Sequence, residues 1–335
     1  MKTILLACDL FDEKNPRLTQ EWESSESIQN LKNTILGLGY DPVILSNPKE
    51  IVHFILDFIE RKNRDDLIVW NFVEGYFSRN REGYIPSLCE YLGVCHTGSD
   101  GFSQSLTLNK FQTKLLANHL GISTPKFELI GPQNSESKPA SLSFPLFAKP
   151  NGEGSSLGIS ETNIIKNEIQ FRDRIPSLLE EFGEVLLEEY IEGADLTLGV
   201  IGNHPNYEVT PIARVEYPGA VYSEEVKTKD GMPETLVFDV SEEIFRQAEK
   251  KSIHLAEIIR FSGYARIDFI LKEDRLYFLE INLTPGFSNI YSSLPEVWEK
   301  SGKKYSDLIR SVLDLAEKEY KSHPRYRYGK ENLSL

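Results

Sequence analysis

The sequence predicts an α/β protein whose first sheet is parallel, and three observations carry that prediction. Apolar strands alternate with amphipathic helices through the first 73 residues. A glycine- and serine-rich loop follows an apolar strand that ends at Lys149, and a hairpin of strictly alternating character occupies residues 263–288. At 335 residues the chain has room for two or three domains, each with a core of its own.

The elements follow in order. Residues 2–8 form a buried strand; residues 27–38 have helical spacing and stop at Gly39; residues 43–45 are a second short strand. Pro48 opens a helix carrying Ile51, Phe54, Ile55 and Phe58, and residues 67–73 form a third strand. This βαβαβ order implies a parallel sheet with right-handed crossovers. Pro86 begins a further helix, Val94 leads into a turn at Gly98, and the first unit ends near residue 105. A helix over 106–120 sets Lys110 and Lys114 one turn apart, a pattern that usually marks a solvated face. A polar loop at 131–141 separates strands near Phe127 and at 144–149.

The run KPNGEGSSLGIS, residues 149–160, lets backbone N–H groups turn toward phosphate oxygens with no side chains in the way. A flexible turn between two strands fits the same composition. Residues 164–181 read as a helix interrupted near Pro176, residues 185–191 as a strand, and residues 196–202 as another. Tyr222 and Lys227 lie in a polar loop at 217–231, Ser241 caps a long helix, and a closing helix over 304–317 precedes a loose tail.

In the hairpin, Ile267, Phe269 and Leu271 share one face, while Arg266 and Asp268 lie on the other. Tyr277, Leu279 and Ile281 share a face on the second strand, opposite Phe278, Glu280 and Asn282. A three-residue turn at Glu273, Asp274 and Arg275 pairs 268 with 280 and 266 with 282. Two carboxylates and an amide oxygen then stand together and repel one another unless a cation sits among them. Hard oxygen ligands of this kind suit Mg²⁺. The outer face of an ordinary hairpin has the same alternation, but Thr284, Pro285 and Gly286 follow as a rigid turn where a backbone N–H can face a reacting oxygen.

Composition narrows the functional classes. Hydrophobic residues are 40% and charged residues 26%, as in an ordinary soluble globular protein, and the formal net charge of -14 argues against binding nucleic acid or an anionic membrane. Any bound anion is met by locally placed Lys and Arg. No apolar run is long enough for a bilayer, and the opening MKTILLACDLFDE turns acidic too soon for a secretory signal, so a cytoplasmic location is expected. Cys8, Cys89 and Cys95 show no metal spacing and read as buried reduced thiols.

Three blocks together resemble the ATP-grasp superfamily and, within it, the D-alanine–D-alanine ligase family. They are residues 91–127, residues 144–160 with 185–203, and the hairpin. The resemblance implies an ATP-grasp fold of three α/β domains: an N-terminal Rossmann-like pre-ATP-grasp domain over 1–105, a central subdomain over 106–200 and a C-terminal subdomain over 201–325, with a tail at 326–335. It implies that Lys110 and Lys149 neutralise ATP phosphates and that Glu153, Gly154, Ser155, Ser156 and Gly158 close over them. Glu188 would accept from the adenine amino group, the backbone at Tyr190 and Ile191 would read the ring edge, and Asp195 would hold the ribose. Lys227 would reach the transferred phosphate. Asp268 and Glu280 would share one Mg²⁺, and Glu280 with Asn282 a second, Mn²⁺ being a possible substitute. Arg266 would steady developing charge, and the Gly286 N–H would complete an oxyanion hole.

The implied reaction is ATP-dependent joining of amino acids through an acyl phosphate, by a homodimer that pairs through its N-terminal domain, for peptidoglycan or other peptide biosynthesis. The sequence departs from the family at substrate contacts. Glu21, Glu23 and Glu26 are all possible counterparts of an N-terminal glutamate that contacts the first amino acid. Glu74-Gly75 stands for His-Gly, and Asn80-Arg81-Glu82-Gly83 for Gly-Glu-Asp-Gly. Ser293-Leu294 matches a carboxylate-binding pair only with an insertion. D-Alanine is therefore one candidate among other amino acids or a γ-carboxyl substrate, and a nucleotide-binding protein without ligase activity is the reading from a different class.

Overall fold

Helical crossovers after each of the first strands force them to run parallel. The computed structural model describes residues 1–227, the side chain of Lys227 excepted, and 234–322. Strands β1 (Thr3–Cys8), β2 (Asp41–Leu45), β3 (Leu67–Phe72) and β4 (Cys95–His96) form a parallel sheet in the order β2-β1-β3-β4. Helices α1 (Ser25–Gly37), α2 (Pro48–Arg61) and α3 (Tyr84–Leu92) connect them. Asn47 caps α2 by accepting from the Lys49 and Glu50 N–H groups, and Pro48 supplies the first helical φ. The short β4 escapes a sequence reading because two residues carry no periodicity.

The expected single helix over 106–120 is two: α4 (Gly101–Leu108) and α5 (Lys110–His119). Asn109 leaves the helical region and accepts from the Gln112 N–H, so Lys110 becomes the first residue of a new helix rather than a mid-helix one.

A second, antiparallel sheet has the order β5-β8-β6-β7, from β5 (Phe127–Ile130), β6 (Leu146–Pro150), β7 (Ile164–Ile165) and β8 (Val185–Glu189). Helix α6 (Glu168–Phe182) covers it and runs unbroken through Pro176, contrary to expectation. The proline removes one helix hydrogen bond, but Phe171, Ile175 and Leu178 stay buried against Leu146, Ala148 and Leu187 and hold the helix in place.

The third sheet follows the order β12-β11-β9-β13-β14, with β10 also on β9. Its strands are β9 (Ala194–Asn203), β10 (Asn206–Val209), β11 (Ala213–Glu216), β12 (Thr235–Val237), β13 (Ser262–Lys272) and β14 (Arg275–Asn282). Helix α7 (Glu224–Lys227) precedes β12, and α8 (Glu242–Ile259) packs Ala248, Leu255 and Ala256 under the sheet. After α9 (Ser293–Lys300), the closing helix α10 (Tyr305–Ser322) returns to the first sheet, where Leu308, Ile309 and Val312 share a core with Trp70 and Leu31. The tail at 326–335 lies outside the described residues. All three cysteines are buried free thiols, as expected.

Candidate active site

The hairpin strands β13 and β14 place a polar patch on the wall of a cleft of about 1290 Å³. Arg266 pairs with Asn282 and Asp268 with Glu280, the register expected. The route to that register differs. The turn is two residues, since Lys272 pairs with Arg275, and a bulge after Asp268 inserts Leu279 to restore the count. Phe278 therefore faces the core, fully buried beside Phe269 with ring centroids 6.1 Å apart, while Leu279 lines the cleft; the sequence had their faces reversed.

Asp268 accepts from Arg266 Nη2 at 2.8 Å and from Thr197 Oγ1 at 2.7 Å. Glu280 Oε2 lies 3.3 Å from Lys110 Nζ, and its other oxygen lies 4.0 Å from Arg266. The cations that the paired carboxylates require are thus already supplied by the chain. Burial alone would raise Glu280, but Lys110, Lys149 and Arg266 outweigh it and hold the carboxyl at about 2. The Asn282 amide oxygen accepts from the Thr284 N–H at 2.8 Å. Among the described residues no three His, Cys, Asp or Glu side chains converge as a metal cage. Asp268, Glu280 and Asn282 instead fit the set that Mg²⁺ accepts when phosphates and water complete its shell.

The lysines expected to face solvent are buried. Lys114 is fully enclosed; its Nζ lies 2.7 Å from Glu188 Oε1 and donates to Thr124 Oγ1 and the Phe278 carbonyl. Lys149, at the end of β6, lies 3.1 Å from the other Glu188 oxygen. Burial would raise Glu188, yet the two lysines hold it below its ordinary range, while burial lowers Lys114 to about 8. Sequence reasoning missed Lys114, although its spacing from Lys110 was the available signal. Lys110 reaches beneath the glycine-rich loop, where Nζ donates to the Glu153 carbonyl.

That loop already holds anions. Ser155 and Ser156 adopt left-handed φ of 46° and 57° as the central residues of a tight turn that the Leu157 N–H closes onto the Gly154 carbonyl at 2.9 Å. The Gly154 N–H donates to the Glu21 carboxylate and the Gly158 N–H to Glu224 at 2.8 Å, the carboxylate oxygens standing where phosphate oxygens can bind. Tyr190 and Ile191 line the cleft just past β8; the Tyr190 N–H is taken by the Pro145 carbonyl, so its own carbonyl and the Ile191 backbone are what the cleft can use. Asp195, on β9, accepts from the Tyr217 hydroxyl and is raised by burial to about 6. Gly286 lines the same cleft, and a Cβ there would lie 2.5 Å from Ser292 Oγ. The Lys227 side chain lies outside the described residues.

Glu21, Glu23 and Glu26 all line the cleft, and two of them make contacts across it. Glu21 pairs with Arg81 Nη2 at 2.8 Å, and Glu23 accepts from the Phe287 N–H and the Tyr291 hydroxyl. Glu26 stays exposed in the first turn of α1.

Comparisons with known proteins bear on the family and the fold. A family model described as the D-alanine–D-alanine ligase C-terminus matches residues 116–314. A D-alanine–D-alanine ligase of Petrotoga mobilis is 31% identical over 87% of this chain and 92% of its own. The chain belongs to the D-alanine–D-alanine ligase family. It is thereby an enzyme of the ligase class, in an ATP-grasp family. A ligase of this family from Aquifex aeolicus is 29% identical over 69% of the chain and 77% of its own. The fold is also that of the solved ligases. The Bacillus anthracis enzyme, crystallised with ATP, superposes with a TM-score of 0.73 at 22% identity, covering 96% of this chain and 99% of that one. The Coxiella burnetii ligase has a TM-score of 0.73 at 19% identity, covering 98% of each.

Glu82 is a buried cleft carboxyl beside Glu74, which burial and Glu82 itself also push up. It is 7% exposed and accepts from Thr284 Oγ1 at 3.0 Å, and burial raises it from its ordinary value to about 7. Between pH 4.5 and 7 the folded state then binds more protons than the unfolded one, so Glu82 costs stability as pH rises through that window. Glu82→Gln is expected to remove this decline, and urea midpoints at pH 5 and pH 8 that keep the native spacing would contradict it.

Proposed function

We propose that this ligase couples ATP hydrolysis to the joining of two amino acids through an acyl phosphate, with D-alanine as one candidate substrate. One observation carries the reading: Lys110 and Lys149, an anion-holding glycine loop and the Arg266, Asp268, Glu280 and Asn282 patch converge on a single cleft. Lys110, Lys149 and the loop around Glu153, Gly154, Ser155 and Ser156 hold the phosphates. Glu188 fixes Lys149 and faces the adenine, the backbone at Tyr190 and Ile191 lines the ring edge, and Asp195 takes the ribose. When bound at Asp268, Glu280 and Asn282, two Mg²⁺ ions (or Mn²⁺) supply charge compensation for the transferred phosphoryl group.

A carboxylate is a poor electrophile, so its oxygen first takes the γ-phosphoryl group of ATP, the β–γ phosphoanhydride bond breaking and ADP leaving with the bond pair. The amine then attacks the acyl carbon, the C–N bond forms, and phosphate leaves with the C–O bond pair. Arg266 and the Gly286 N–H lie where negative charge develops, and Lys227 belongs with them in this reading. Closure of the cleft keeps water from the acyl phosphate. No helix among the described residues is long and apolar enough to cross a membrane. A cytoplasmic homodimer serving peptidoglycan or peptide biosynthesis is the setting we assign.

Arg81 favours a substrate other than D-alanine as the companion reading, because it ties Glu21 to the Gly152 carbonyl and the Glu153 carboxylate beside the cleft. The test is ATP- and Mg²⁺-dependent phosphate release with single and paired D- and L-amino acids, the products being identified by mass spectrometry. Release with any pair that yields a ligated product supports ligation, and release with none contradicts it.

A further inference from the structure

Arg81 stands where the family pattern has an acid, and no step of the ligation uses it. It opens a single 3₁₀ turn, Arg81–Gly83, between β3 and α3. That turn is a firm base. The Glu82 carbonyl accepts from Asn71 Nδ2 at 3.2 Å, and α4 lies so close that a Cβ at Gly83 would come within 2.6 Å of the Gly101 carbonyl oxygen. Arg81 itself is 5% exposed.

From this base one guanidinium reaches three successive residues of the glycine-rich loop. Its Nη1 donates to the Gly152 carbonyl at 2.6 Å, and its Nη2 lies 3.3 Å from the Glu153 carboxylate. Nη2 also donates to Glu21 Oε2 at 2.8 Å, and the other Glu21 oxygen accepts from the Gly154 N–H. Burial works against the charge on Arg81, but Glu21, Glu153, Glu82 and Glu74 outweigh it. Glu21, Glu153 and Gly154 line the cleft, and Arg81 stands behind them. A planar fork of fixed donors serves a carbonyl and two carboxylates at once, which the compact ammonium of a lysine does not.

We infer that Arg81 is a positioning residue that clamps the start of the glycine-rich loop and so couples ATP consumption to bond formation. This rests on the ligase reading and adds a residue to its site. Water that reaches the acyl phosphate returns the free carboxylate and inorganic phosphate, the water oxygen ending in one of them and its protons going to solvent. ATP is then consumed with no C–N bond formed. A loop fixed at Gly152, Glu153 and Gly154 keeps that water out.

Arg81→Lys keeps the charge and removes the fork. With ATP, Mg²⁺ and D- and L-amino acids supplied singly and in pairs, the native enzyme is expected to release about one phosphate per bond formed, and R81K at least about threefold more. A residue that only supported the fold would lower phosphate and product together and leave their ratio unchanged. Amide hydrogen exchange over residues 152–158, with no nucleotide added, reads the clamp apart from activity. The native loop is expected to exchange at least about a hundredfold more slowly than the unfolded chain, and the R81K loop about tenfold faster than native while β6 stays within about twofold. A native phosphate-to-bond ratio in R81K overturns the inference, and so does a native loop that exchanges at the unfolded rate, a result that stands even where R81K fails to fold. No product from any pair overturns the ligase reading and the coupling role with it, whereas the exchange rates still decide the clamp.

Discussion

Glu280→Gln is expected to lower turnover by about three orders of magnitude while ATP binding stays measurable. The substitution keeps the shape of the side chain but removes the charge that Lys110 and Arg266 hold ionised. Losing one preorganised electrostatic contact at a reacting centre costs on the order of 10² to 10³ in rate, and Glu280 is shared between both proposed ions. The nucleotide keeps Lys149, the glycine loop and the Glu188 region, so its dissociation constant is expected to move by about tenfold at most. Phosphate release measures the first effect and calorimetric titration with ATP the second. Native turnover in E280Q would contradict the metal assignment.

The largest stability effect is expected at Lys114. Its ammonium is fully enclosed and balances Glu188, itself 2% exposed. Lys114→Met leaves Glu188 with Lys149 alone and is expected to cost about 3–5 kcal/mol, the range for breaking one side of a buried ion pair. The double replacement of Lys114 by Met and Glu188 by Leu is expected to recover part of that loss, because no uncompensated charge from this pair remains. Urea unfolding followed at matched pH checks both. A single variant within about 1 kcal/mol of native would show that Glu188 is balanced without Lys114.

The sequence made the site's pattern legible where local periodicity encodes it. Strand alternation put Arg266, Asp268, Glu280 and Asn282 together, and the βαβαβ order fixed the parallel first sheet. Even there, the register came through two compensating features, a tighter turn and a bulge, and Phe278 changed face because alternation cannot announce an inserted residue. Asn109 reads as an ordinary polar residue inside a helical stretch; its role as a cap emerges only when the Asn151 backbone and side chain take the N–H groups of Lys110 and Phe111.

Contacts between distant segments were not legible at all. Glu21 reaches Arg81 and Gly154, and Glu234 reaches Ser293, across 59 or more residues. Such pairs depend on how three sheets meet, which no single stretch of sequence encodes. Lys114 shows the same limit from another side. A lysine one turn from another lysine normally faces water, and here the partner that reverses the expectation lies on β8.

Ligation through an acyl phosphate is tested most directly by oxygen transfer. Donor amino acid labelled with oxygen-18 in its carboxylate, incubated with ATP, Mg²⁺ and acceptor, is expected to pass one labelled oxygen to inorganic phosphate for each bond formed. Label found in AMP, or bond formation with none in phosphate, would contradict phosphoryl transfer to the carboxylate.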